Sequence, residues 1–390
     1  VRRIAVLRAN GLGDFVFTLP ALDALRRAWP EAAIVLLGTP LHRDLLARRP
    51  GPVDRVVVVP ASEGVWTPAG ARPDPADQDR FFAAMRAEGF DLALQLHGGG
   101  RWSNPFVRRL GAACTVGLRT PDAAPLDRWV PYGYWQHEVL RLLEVVALAG
   151  AEPGPGGLEP RLAVTEADRR EAAAVLAGSQ SQPGRPLAVL APGAGDGRRR
   201  WPPDRLAAAG DALHDAGAAV VVCGSAADRG LAQAVAGAMA RPAADLAGSL
   251  SLGGLAGILA GAAVVVANDS GPLHLAAAVG APTVGVYWCG NLVNAGPLTR
   301  ARHRTAVSWR LACPVCGADC MREGCDHDAS FVADVEVGEV AAAALDLLAT
   351  TASGQHPGRV DPPVVDGRRQ LLVEGARGDH TAAPVPLHHP

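Results

Sequence analysis

The stretch AGAAVVVANDSGPLHLAAAVGAPTVGVYW runs from Ala260 to Trp288, and its reading decides the fold class. Residues 263–267 form an apolar, β-branched run of the kind that makes a strand buried on both faces. Asn268, Asp269, Ser270 and Gly271 break it with turn chemistry. Pro272 suits the first turn of a helix, where its missing N–H costs nothing. A helix is expected over residues 272–279, then a second buried strand over 283–287. Strand, helix and strand in this order predict a parallel βαβ unit.

The same alternation extends outward. Strands are expected at residues 3–7, 33–37, 55–59 and 92–96, and again at 187–190 and 219–223. Helices are expected at 19–28, 78–88, 136–149, 166–177, 203–216, 229–240 and 252–260. A length of 390 residues is too great for one ordinary core. The pattern restarts near residue 187, after the Gly-, Ser-, Gln- and Pro-rich AGSQSQPGRP. These features predict an α/β protein with two doubly wound, Rossmann-like domains: 1–178, a linker at 179–186, and 187–350. The remainder, 351–390, is rich in Pro, Gly, His and charge and reads as a disordered tail.

Composition narrows the function classes. The formal net charge of −2 argues against non-specific nucleic-acid binding. All basic residues are arginine, which reflects a GC-rich coding bias. The opening apolar run is too short for a signal peptide, and no run approaches the roughly 18 residues of a membrane span. A cytoplasmic protein with its seven cysteines reduced is expected; peripheral contact with a membrane stays open.

Ligands of doubly wound sheets bind beyond the carboxyl ends of the strands. Four clusters fall there. GLGDF, with Gly11, Gly13 and Asp14, lies between a strand and a helix. Glycines admit a ligand close to backbone, and Asp14 reads as a helix cap or a catalytic carboxylate. A dinucleotide fingerprint would need glycine where Val16 stands. His97 and the glycines after it end another strand, with Arg101 beside them to meet an anionic acceptor. In the second half, Gly193 and Ala194 open a loop carrying Arg198, Arg199 and Arg200. Guanidinium groups there suit a diphosphate, and a solvated arginine run is the plain alternative. The amides of Ser270, Gly271, Leu273 and His274 around Pro272 form an anion-favouring helix start. Asp269 and His274 would orient the ligand or simply hold the turn. Trp66, Trp102, Trp129 and Trp135 serve either an acceptor surface or packing.

Cys313, Cys316, Cys320 and Cys325, with His327 near, are a candidate zinc cluster whose compressed spacing equally suits disulfides or loop thiols. Cys114, Cys223 and Cys289 sit in apolar surroundings and read as core.

Taken together, these motifs resemble glycosyltransferase family 9, the ADP-heptose heptosyltransferases of lipopolysaccharide core assembly. GLGDFVFTLPALDALRRAWP (11–30) is similar to the family's opening motif, and PGAGDGRRRWP (192–202) to its middle one. DLAGSLSLGGLAGILAGAAVVVANDSGPLHLAAAVGAPTVGVY (245–287) resembles its C-terminal signature most closely. The resemblance covers roughly residues 1–345. It implies a GT-B fold with an interdomain cleft, acceptor bound by the N-terminal domain and nucleotide sugar by the C-terminal one. It further implies an inverting transfer that needs no cofactor, with Asp14 as general base. Ser270, Gly271, Pro272, Leu273, His274, Arg199 and Arg200 would hold the donor diphosphate. Gly193, Ala194, Asp228 and Asp269 would contact nucleotide or sugar, Asp228 near the ribose. Gly11, Gly13, His97 and Arg101 would face the acceptor, a glycan or small molecule. Arg199 stands where the family often has lysine. A GT-B glycosyltransferase using another nucleotide sugar, or a nucleotide-sugar epimerase or hydrolase on the same fold, is the alternative.

Overall fold

A computed structural model describes residues 1–179 and 184–352 as two compact units. One spans Val1–Ala163 and the other begins at Val164. The expected tail from 353 onward and half of the expected linker, 180–183, lie outside the described residues; 351 and 352 finish the Val337–Ala352 helix.

The first unit holds β1 (Arg3–Leu7), β2 (Ala33–Gly38), β3 (Arg55–Val58), β4 (Leu92–Gln95), β5 (Cys114–Arg119) and β6 (Arg128–Pro131). The second holds β7 (Leu187–Ala191), β8 (Ala219–Val222), β9 (Ala243–Asp245), β10 (Val264–Asn268), β11 (Thr283–Trp288) and β12 (His303–Ser308). The sheet orders are β3-β2-β1-β4-β5-β6 and β12-β11-β10-β7-β8-β9, and every pairing is parallel. Counted within its own unit, the second order is the first one reversed, so both sheets are doubly wound in the same way. The strand order reverses between β1 and β4 in one sheet and between β7 and β10 in the other.

Burial explains the strands. Ile4, Val6 and Leu7 are inaccessible, as are Val264, Val265 and Val266, because helices cover both faces of each central strand. The Leu19–Ala28 helix presents Leu19, Leu22 and Leu25 to the first core, a spacing of one helical face. Trp201 is buried in the second core and its Nε1 donates to the Val335 carbonyl (3.0 Å), which pins the arginine loop to the chain before the last helix. Among the described residues, no helix is long and apolar enough to cross a membrane.

The change of pattern at residue 187 assigned the Glu166–Ala177 helix to the first domain, but its contacts place it in the second unit. Glu171 accepts from the Ser251 amide (2.7 Å) and hydroxyl (2.6 Å). Gly257 lies so close that a Cβ there would stand 2.3 Å from the Asp168 carbonyl. Helix packs on helix through that missing side chain.

Candidate active site

Both switch points gather the residues singled out in the sequence. In the second unit, β7 leads into Gly193 and Ala194, and β10 leads into Asp269 and the Gly271–Ala278 helix. Asn268 joins the two: its Nδ2 donates to the Pro192 carbonyl (2.7 Å) and its Oδ1 accepts from the Trp201 amide (2.9 Å). Asp269 is 2% exposed. Its carboxylate meets Arg199 Nη1 at 3.0 Å, Asn291 Nδ2 at 2.7 Å and His274 Nε2 at 3.0 Å. Burial works against the charge on Asp269. The bond and charge of His274, with Arg199 and the Asn291 amide, outweigh it and hold the carboxyl at about 2.

The three arginines divide their work. Arg198 is fastened to Asp196 through Nε and Nη2 (2.7–3.1 Å). Arg200 clamps the Ala194 carbonyl (2.8 and 3.1 Å), so it shapes the loop from within. Arg199 spends one nitrogen on Asp269 and keeps Nε and Nη2 without a bond among the described residues. It is the arginine of the three best placed for a phosphate.

At the helix start, Ser270 is the cap residue and its Oγ bonds the Asn268 carbonyl (3.0 Å), leaving its amide side open. The expected set of outward amides is corrected at His274. Its N–H donates to the Ser270 carbonyl (3.2 Å) as the first rung of the helix, so Ser270, Gly271 and Leu273 are the amides ahead of the ladder. Asp228 accepts from the Ser225 amide and hydroxyl (2.9 and 2.6 Å), and its other oxygen lies against Gly193.

In the first unit, β1 leads to Arg8 and the Leu12–Val16 helix, and β4 leads to His97. Asp14 stands in that helix's first turn and Gly11 is the cap residue, which removes the simple capping role for Asp14. Its side chain is 38% exposed and one oxygen lies 3.5 Å from Arg8 Nη2. Arg8 is 1% exposed and fixes the turn from below. Its Nε and Nη2 donate to the Asp14 carbonyl (3.1 and 2.8 Å), and Nη1 donates to Leu96 O and to Glu138 Oε1 (2.9 Å). His97 accepts the Ala9 amide on Nδ1 (3.2 Å), tying the two strand ends together. Burial first, then Arg8, push both His97 and His42 down to about 3, so both rings are neutral at neutral pH.

Two of the three glycines after His97 serve packing. A Cβ on Gly99 would meet Thr120 at 2.5 Å, and one on Gly100 would meet Asn104 at 2.5 Å. Arg101 points into solvent with a loose partner in Asp122 (3.9 Å). Trp102 covers Gly64, where no Cβ would fit, and Trp66 packs on the first core. Trp129 and Trp135 stay well exposed, Trp129 under Arg119.

The sequence pattern of glycosyltransferase family 9 (heptosyltransferase) matches residues 79–317. The chain belongs to glycosyltransferase family 9. It is 32% identical over 298 residues to lipooligosaccharide heptosyltransferase 2 of Haemophilus influenzae, covering 73% of this chain and 82% of that one. It is 28% identical over 297 residues to lipopolysaccharide heptosyltransferase 1 of Pseudomonas aeruginosa, covering 73% and 78%. The solved structure of E. coli ADP-heptose LPS heptosyltransferase II shares its fold, with a TM-score of 0.70 at 20% identity, over 90% of this chain and all of that one. The architecture is thus that of the GT-B heptosyltransferases.

Three residues of this glycosyltransferase escaped the sequence reading. Arg8 left a signal: a charge directly after a buried strand. Asn268 reads in sequence only as part of the turn that ends the strand. Asn291 left none, since only the fold brings the Cys289–Ala295 helix back to Asp269. The cysteine cluster is also revised. Cys313, Cys316, Cys325 and His327 bring their ligand atoms within 4.8 Å of one another, while Cys320 is outside this set. Cys223 and Cys289 are buried as expected; Cys114 is partly exposed.

Proposed function

We propose that this enzyme transfers heptose from ADP-heptose to a hydroxyl of an acceptor sugar, with inversion at the anomeric carbon. The observation that carries the reading is the Arg199–Asp269–His274 cluster beside an open helix start at the switch point of the second sheet. That arrangement favours a diphosphate. The named activities of the relatives supply the sugar and the nucleotide, and a lipopolysaccharide-type core sugar is the acceptor class they favour.

In a single displacement, the acceptor oxygen attacks the anomeric carbon as the bond to the diphosphate oxygen breaks. The proton goes to Asp14, which lies on a partly exposed helical turn stiffened by Arg8. A positioned base of this kind is worth about 10²–10⁴ in rate. Charge developing on the departing ADP falls on the amides ahead of the helix and on the two unbonded nitrogens of Arg199. Fixed donors at a growing charge are a large source of rate. Asp228, whose free oxygen lies over Gly193, would receive the ribose. Nucleotide sugars are cytoplasmic, so the reading places the enzyme there, working on acceptors at the inner membrane face.

Calorimetry with ADP, UDP, GDP and ADP-heptose, on wild type and Asp14→Ala, tests this directly. ADP-selective binding retained in Asp14→Ala, with transfer to a core-sugar acceptor lost, is expected. Full transfer by Asp14→Ala would overturn the base assignment. Donor consumption at the same rate without acceptor would instead make the protein a hydrolase.

A further inference from the structure

The cysteine-rich loop of the second unit has no part in the chemistry above, yet it is built with care. Cys313 and Cys316 flank a tight knuckle. The Val315 amide points at Cys313 Sγ (3.5 Å), the Gly317 amide donates to the Cys313 carbonyl (3.0 Å), and Gly317 takes the positive φ (75°) that closes the turn. The segment then returns as a small hairpin. Ala312 bridges Asp319, the Cys313 amide donates to Ala318 O (2.8 Å), and the Cys320 amide donates to Leu311 O (3.0 Å). Cys325 and His327 come back onto the knuckle, with four ligand atoms within 4.8 Å of one another. His327 Nδ1 is shielded from solvent and has no hydrogen-bond partner, although a buried imidazole nitrogen ordinarily finds one.

We propose that Cys313, Cys316, Cys325 and His327 form a structural zinc site that braces the arginine loop. Three thiolates and one imidazole are a closed, tetrahedral zinc set, with no position left for water or substrate. Zn–S bonds of about 2.3 Å need ligand atoms about 3.7 Å apart, so the loop has to contract by no more than about 1 Å. Cys320 stays outside. Its thiol faces the Ala318 carbonyl (3.5 Å) and lies 4.0 Å from Cys325 Sγ.

The brace follows from what comes next in the chain. Ser330 Oγ donates to the Arg200 carbonyl (2.7 Å), and the Phe331 amide donates to the Arg198 carbonyl (2.7 Å). The Phe331 ring is buried between Trp288 (centroids 5.3 Å) and the Arg198 guanidinium (5.5 Å). Two backbone carbonyls of the arginine loop are therefore held by residues that begin three positions after His327. Fixing the cluster fixes the backbone on both sides of Arg199. This second step rests on the donor-site reading above; the zinc site itself does not.

The test uses the full chain, purified under reducing conditions and reconstituted with zinc or cobalt(II). About one zinc per chain is expected by elemental analysis. The cobalt form should show the intense visible bands of tetrahedral cobalt and a near-ultraviolet sulfur-to-metal charge-transfer band. Cys316→Ser, Cys325→Ser and His327→Gln should each lower zinc retention against a chelator at least tenfold, whereas Cys320→Ser should keep it. Chelated wild type should bind ADP several-fold more weakly, and zinc should restore it. Failure of wild type to hold zinc or cobalt would overturn the site, as would a pale octahedral cobalt spectrum, equal loss in Cys320→Ser, or a stable Cys320–Cys325 disulfide. These wild-type measurements decide the matter even if a variant does not fold. Zinc held with unchanged ADP binding would keep the site and remove the brace. Zinc held with no nucleotide binding in any form would count against the donor reading alone.

Discussion

Arg199 reaches 70 residues along the chain to Asp269 and meets it at 3.0 Å, at the point where the second sheet reverses its strand order. The pair joins the loop after β7 to the turn after β10. Asp269 thus stands one bond behind the group proposed to touch the diphosphate, and its loss should be felt twice.

Asp269→Asn should destabilise the second unit by about 3 kcal/mol, because Arg199 and His274 lose a buried counter-charge. Urea unfolding measures this. The carboxyl is held at about 2, below its value in the unfolded chain. Its stabilisation is therefore present above about pH 4 and lost as pH falls through 2. The wild-type and Asp269→Asn curves should converge in strong acid. Parallel curves down to pH 2 would refute the network.

Arg199→Lys keeps a positive charge beside Asp269. ADP affinity should stay within about tenfold, while Arg199→Ala should weaken it by roughly 10²-fold, the value of one charge-assisted bond pair. Equal affinities for the alanine and wild-type proteins would remove Arg199 from the donor site.

His42 and His97 are both pushed to about 3 inside the first unit. The unfolded chain takes up their protons near 6.5, the native fold does not, so stability falls as pH drops from 6.5 toward 3. Asp23 opposes this. Burial raises its carboxyl to about 6 despite Arg161, which penalises the fold as pH rises from 4 to 6. Asp23→Asn should stabilise the protein at pH 7 by about 1–2 kcal/mol, allowing for its partial exposure. It should also steepen the acid side of the stability profile. Histidine carbon chemical shifts that titrate near 6.5 for both rings would contradict the assignment.

Gly193→Ala should cost about 1–3 kcal/mol through overpacking, since its Cβ would stand 2.8 Å from Asp228 Oδ1. Adding Asp228→Ala should recover most of that, and a double-mutant cycle of denaturation energies measures the coupling. Additive costs would mean that the two residues do not touch.

The central strands were legible because burial on both faces writes unbroken apolar runs such as VVVA (264–267). β6, β9 and β12 were not, and all three lie at or beside sheet edges. β6 carries Pro131, tolerable only where a ladder bond can be given up; β9 has three residues; β12 is mostly polar, with only Ala306 and Val307 apolar. β5 was hidden by Gly117, which looks like a strand breaker but is required. A Cβ there would press within 2.6 Å of Gln95. The site residues were legible as strand-to-helix turns, where chemistry and backbone geometry coincide. The roles of Arg198 and Arg200 were not, because three adjacent arginines are alike in sequence and only their partners tell them apart. His327 was legible beside the cysteines, but that it stands with Cys313, Cys316 and Cys325 while Cys320 falls outside was not, because spacing alone does not encode it.

The Glu166–Ala177 helix has a bearing on how such enzymes can be recombined. A chimera that borrowed its second half from a relative by joining at residue 187 would leave this helix behind, stripped of Ser251 and of the groove at Gly257. The foreign half would then expose a bare apolar strip where its own helix had lain. A seam at 163/164 carries the helix along with the surface it covers, and marks the natural place to exchange the second half between family members.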